Sequence, residues 1–220
     1  MNNLLLAFAL THAMLLAWTF RAGNSGSLGL WWLRALLVGM CYDNLVQASG
    51  QWFVGEAWYE AANTVRFFLH AVLLPMLMLF ALHTAQLAGV GVARTPAFIS
   101  SCRLFTAAAI AWGLYHEVWL LQLEPVSVAG VDKLRSTSTL PPVATILTNL
   151  LVLPIAFAIW RIAQWRWLLL GTLFIFVVNG ATGAQAWGFA VGNFAEIVYV
   201  LTLLGTEKQF SARCTKIRET

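Results

Sequence analysis

The chain has 220 residues, 60% hydrophobic and only 10% charged, with a formal net charge of +4. A soluble domain carries about 25% charged residues, so this balance excludes an ordinary soluble enzyme and indicates an integral membrane protein. Apolar runs of about 20 residues without strand-like alternation exclude a barrel and predict an all-α, polytopic bundle.

The first run, Leu4–Phe20, follows Met-Asn-Asn with no basic residue before it and no small-x-small cleavage pattern after it. It reads as a first span over 3–21 and not as a cleaved signal. Further spans are expected at 27–48, 64–87, 97–121, 142–161, 166–183 and 185–206, giving seven transmembrane helices. Residues 1–206 then form one seven-helix domain and 207–220 a basic cytoplasmic tail. Between the second and third spans, residues 49–63 read as an amphipathic surface segment. Trp52, Phe53, Trp58 and Tyr59 would lie on the membrane while Glu56 and Glu60 face water. Residues 122–141 read as a solvated loop, closed by Pro141-Pro142, with a lid as the alternative. Pro75 and Pro154 are expected to kink their helices. Gly188 and Gly192 allow close approach of the last helix. Cys41, Cys102 and Cys214 are too few for a disulfide framework and read as plain thiols.

Charge sets the expected orientation. With the N-terminus outside and the C-terminus cytoplasmic, Arg21, Arg94, Arg161, Arg166, Lys208, Arg213, Lys216 and Arg218 lie in inner loops or ends. Arg34 and Arg103 would snorkel to the same side, leaving only Arg66, Lys133 and Arg135 outside. The basic excess therefore requires no nucleic-acid partner; it matches anionic inner-leaflet lipid. Most acids fall on the outer side: Asp43, Glu56, Glu60, Glu117, Glu124, Asp132 and Glu196.

Polar residues inside apolar runs are the functional pointer, because hydrocarbon makes each one costly. Five predicted helices bring such groups to one depth, in the outer third of the bundle. Asp43 and Asn44 close the second. Arg66 and His70 share a face of the third at i,i+4. His116 and Glu117 are adjacent on the fourth, Asn179 nears the end of the sixth, and Asn193 and Glu196 share a face of the seventh at i,i+3. Asp43, Glu117, Glu196, His116 and His70 are the candidate catalytic groups. Arg66, Asn44, Asn179, Asn193, Trp119 and Trp187 are the candidate substrate-binding ones. Trp52, Phe67 and Phe68 would add apolar wall. The competing view makes Arg66 an interhelical ion pair with Asp43 or Glu117, and the Asn residues hydrogen-bond glue between helices. His12 and His83 read as interhelical donors.

The expected function is intramembrane acid/base chemistry on a lipid or isoprenoid-like apolar small molecule, by a cyclase, isomerase or hydrolase. A buried carboxylic acid can protonate an alkene, epoxide or ester oxygen. A non-catalytic membrane subunit or assembly factor, and a proton-coupled transporter, are the alternatives. No inverted repeat supports transport. His70 and His116 with Asp43 or Glu117 invite comparison with a metal or haem site. Without HExxH, HxxxH or paired-Cys spacing, neither metal nor cofactor is expected. No Lys lies inside a span, which excludes a retinal Schiff base.

Overall fold

The computed structural model describes residues 1–21 and 27–218, with side chains as far as residue 211. Arg213, Cys214, Lys216, Arg218 and Glu219 therefore lie outside the described side chains. The chain is mostly helical: α1 (Asn2–Arg21), α2 (Leu28–Phe53), α3 (Ala57–Leu73), α4 (Leu77–Leu87), α5 (Pro96–Gly113), α6 (Val143–Ala163), α7 (Trp167–Thr182) and α8 (Gly188–Arg218). A 3-10 turn, Gly91–Arg94, precedes α5, and a π turn, Leu114–Trp119, continues it.

Local chemistry fixes several boundaries. The Ser27 hydroxyl accepts from the Leu30 amide at 3.0 Å and opens α2. Thr95 caps α5, with Pro96 at its first position. Gln164, at φ 57°, closes α6 in the left-handed region. Pro75 cannot donate to the carbonyl of Ala71, and the predicted third span divides there into α3 and α4. Gly113 of α5 packs into that break: a Cβ at Gly113 would stand 3.3 Å from the Ala71 oxygen. By contrast, α6 runs unbroken through Pro154.

Five helical stretches are long and apolar enough to cross a membrane: Asn2–Arg21, Ala57–Leu87, Pro96–Trp119, Val143–Ala163 and Gly188–Ser211. Helix α7 is apolar but has 16 residues. Helix α2 has 26 residues but is more polar, since it carries Arg34, Asp43, Asn44, Gln47 and Gln51.

The expected loop at 122–141 contains secondary structure. Strands β1 (Leu123–Val128) and β2 (Val131–Ser136) form an antiparallel hairpin in which Val128 pairs with Val131. Ala129 and Gly130, at φ 52° and 74°, make the two-residue turn that matches strand twist. Strand β2 packs on α2. Gly50 permits this contact, because a Cβ there would sit 1.9 Å from the Asp132 carbonyl oxygen. The reading of 49–63 is also corrected in part. Trp52 and Trp58 are exposed, but Tyr59 is fully buried and donates to the Val46 carbonyl at 2.9 Å.

The main core lies away from the hairpin. Leu33, Leu37, Ala81, Ala85, Val152, Ala156, Ile159, Leu168, Val200 and Leu203 are sealed where α2, α4, α6, α7 and α8 meet. Small residues let the helices close there; a Cβ at Gly171 would strike the Thr202 hydroxyl at 2.1 Å. Arg34, expected to snorkel, is instead buried. It donates to the Thr19 hydroxyl at 3.2 Å and the Thr19 carbonyl at 3.0 Å, satisfying the end of α1. Toward the hairpin the helices part, and the interior becomes polar and hollow.

Candidate functional site

The site is organised around Asp43. One turn along α2, Gln47 donates to its Oδ2 at 2.6 Å. From α3, Arg66 Nε stands 3.2 Å and His70 Nε2 3.6 Å from its Oδ1. The i,i+4 spacing of Arg66 and His70 thus delivers both to one carboxylate. Arg66 is held from behind, donating through Nη1 to Asn63 Oδ1 at 3.0 Å and lying over the Phe67 ring.

The hairpin adds a residue that the sequence treats only as an outer charge. Lys133 is buried, donates to Gln47 Oε1 at 3.2 Å and lies 3.7 Å above the centre of the Phe189 ring. A relay Asp43–Gln47–Lys133 therefore ties α2 and the hairpin together, and Lys133 stacks on α8. Burial, reinforced by the nearby Arg66 and opposed by Asp43, lowers the Lys133 ammonium to about 8. Gln47 could be anticipated from its position one turn after Asp43. Lys133 could not, unless Val-Ser-Val, Ala-Gly and Val-Asp-Lys-Leu are read as strand, turn and strand.

A cavity of about 670 Å³ opens beside this cluster. Asp43, Arg66 and His70 line it together with Asn179, Asn193 and Glu196, so four of the five helices expected to converge do so. Asn149 of α6 joins them, its Oδ1 buried and without a hydrogen bond among the described residues. Asn193 is buried, and neither it nor Glu196 makes a side-chain hydrogen bond or ion pair among the described residues. Ile146, Ile175, Phe176 and Phe189 supply apolar wall.

The fourth predicted helix goes elsewhere. His116 and Glu117 line a second cavity of about 250 Å³ with Phe67, Trp112, Ser136 and Ser138. His116 stacks on Trp112, with ring centres 4.1 Å apart. The π turn at Leu114–Trp119 sets these side chains off the regular helical register. The two cavities share His70, Pro141 and Pro142. The sequence expectation of one pocket becomes two chambers meeting at His70, and Arg66 pairs with Asp43, not with Glu117.

Three expected binding residues lie outside both chambers. Asn44 is buried, but its amide donates to Met40 of its own helix at 2.9 Å. Trp119 is 81% exposed and Trp187 50%, so neither walls a chamber. Trp52 and Phe68 are likewise exposed, and Phe67 lines the smaller cavity. His12 and His83 donate to no neighbouring helix among the described residues. Nor do three His, Cys, Asp or Glu side chains there come together to hold a metal ion.

Comparison of the chain with protein-family models, curated proteins and solved structures finds no match.

Proposed function

We propose that this protein is a seven-helix membrane enzyme performing acid/base chemistry on a lipid or isoprenoid-like apolar molecule, with its N-terminus outside and its C-terminus cytoplasmic. One observation carries the reading: the Asp43–Arg66–His70 cluster and the unpartnered Glu196 line the same cavity, whose remaining walls are largely apolar. That combination suits a greasy substrate presented to a few placed polar groups.

The roles follow from the pairings. Among the described residues Glu196 has no cation within ion-pair distance, and it serves as proton donor. Protonation of a substrate double bond leaves a carbocation. Asp43, paired with Arg66, stabilises that positive charge. His70 then removes a neighbouring proton, restoring a double bond in a rearranged product, and the proton returns to Glu196. Protonation of an epoxide or ester oxygen would begin in the same way. The smaller chamber, with Glu117 and His116, offers His70 a polar neighbour on the hairpin side. The sealed core below the cavity favours an enzyme over a conduit.

The test is a mass-spectrometric comparison of lipid extracts from cells making wild type, Glu196→Gln or Asp43→Asn at matched levels. A lipid species that appears or disappears with wild type and reverts in both variants is expected. Unchanged extracts with folded wild-type protein present would overturn the reading. Glu196-dependent proton flux in proteoliposomes would replace it with transport.

A further inference from the structure

At the end of the bundle opposite the hairpin, a groove of about 540 Å³ runs between α2 and α5, with α4 as its floor. Its walls are apolar: Leu28, Ala35, Leu73, Met76, Leu79, Phe80 and Ile99 are among them. Three hydrogen-bond donors break that surface. They are Arg103 of α5, His83 of α4 and the indole of Trp31 of α2. None makes a side-chain hydrogen bond or salt bridge among the described residues, although their neighbours do. Trp32 donates to the Leu73 carbonyl at 3.0 Å, and Gln86 donates to the Ala93 carbonyl at 3.0 Å. At this end the carboxylate of Glu207 is buried, accepts a hydrogen bond from Ser27 and lies against Gly29 at the head of the groove.

An arginine, a histidine and a tryptophan lining one greasy furrow fit one ligand chemistry: an anionic phosphate joined to apolar chains. Arg matches phosphate through paired N–H groups, and an indole belongs at the headgroup boundary. The furrow follows α4 from Gln86 back past Pro75 to Leu73, about 20 Å at helical rise, which is the reach of a chain and not of a headgroup alone. We propose that this groove is a binding site for an anionic phospholipid of the leaflet at that end, its phosphate held by Arg103, His83 and Trp31. The site is separate from the Asp43 cavity. It depends on the protein lying in a membrane, but not on its being an enzyme.

Native mass spectrometry of the detergent-purified full chain tests this, with phosphatidylglycerol or phosphatidylcholine of identical acyl chains added. Wild type is expected to retain the anionic lipid about fivefold over the zwitterionic one, the preference that about 1 kcal/mol of attraction gives. Arg103→Gln/His83→Gln should lose that preference, while Arg161→Gln, an exposed charge elsewhere, should keep it. Thermal unfolding checks that the variants are folded, and Arg103→Gln alone decides if the double variant is not. The site is overturned by equal retention of both lipids, by equal loss in Arg161→Gln, or by stabilisation with inorganic phosphate to which lipid adds nothing.

Discussion

Asp43 is the residue on which the site turns: among the described residues it is the carboxylate that Arg66, His70 and, through Gln47, Lys133 share. Its removal leaves a buried guanidinium without its partner, and breaking such a pair costs more than the pair contributes. Asp43→Asn should therefore destabilise the folded protein by about 3 kcal/mol, and Asp43→Asn/Arg66→Gln by clearly less, in thermal unfolding of the detergent-solubilised chain. Lys133 gives a pH signature of its own. Its folded-state value of about 8 lies below the ordinary 10.5, so its burial as a cation opposes folding at neutral pH. As pH rises from about 8 toward the unfolded value, the folded chain releases the proton first, and that opposition is relieved. The unfolding midpoint of wild type should rise relative to that of Lys133→Met between pH 7 and pH 10. An unchanged gap would place Lys133 in solvent.

Among the elements, the hairpin is seated on α2 by the buried Val131 and Leu134, by Lys133 on Gln47, and by one close backbone contact. Gly50 admits the Asp132 carbonyl to a distance that no Cβ tolerates, and backbone cannot rotate aside as a side chain can. Gly50→Ala should lift β2 from α2 and withdraw Lys133 from Gln47. Limited proteolysis between Val128 and Val131 should then speed up at least several-fold, with the helical content by circular dichroism unchanged. The α3–α4 break shows the opposite logic, where local sequence is decisive. Pro75 lacks the donor for the Ala71 carbonyl, so the helix divides there, and Gly113 accepts the resulting bend. Helix α5 carries the counterexample. Its π turn at Leu114–Trp119 has no Pro or Gly inside it, and it moves His116 and Glu117 into their own chamber.

At the scale of the molecule, the proposed seven-span arrangement puts the hairpin and the Gly91–Arg94 turn on opposite sides of the membrane. In a cysteine-free background, Ser127→Cys should react with a membrane-impermeant thiol reagent on intact cells. Gly91→Cys should react only after the membrane is opened. Labelling of both on intact cells would refute the topology. Much of this protein was legible in its sequence. Hydrophobic run length and Pro placement are local properties, and they determined the helical elements, the α3–α4 break and the pairing of Arg66 with His70 on one face. A common level for Asp43, Arg66, His70, Asn179, Asn193 and Glu196 was the expectation from the same run lengths, and the six line one cavity. What tertiary structure decided were the faces, since helices apolar all round give no periodic signal of which side turns inward. It separated Glu117 and His116 from Asp43, turned Asn44 back on its own helix and left Trp119 and Trp187 outside. It also brought Lys133 to Gln47, 86 residues away, through a hairpin whose position rests on close packing against Gly50. Contacts of that separation depend on how surfaces fit, and no local pattern of residue types encodes them.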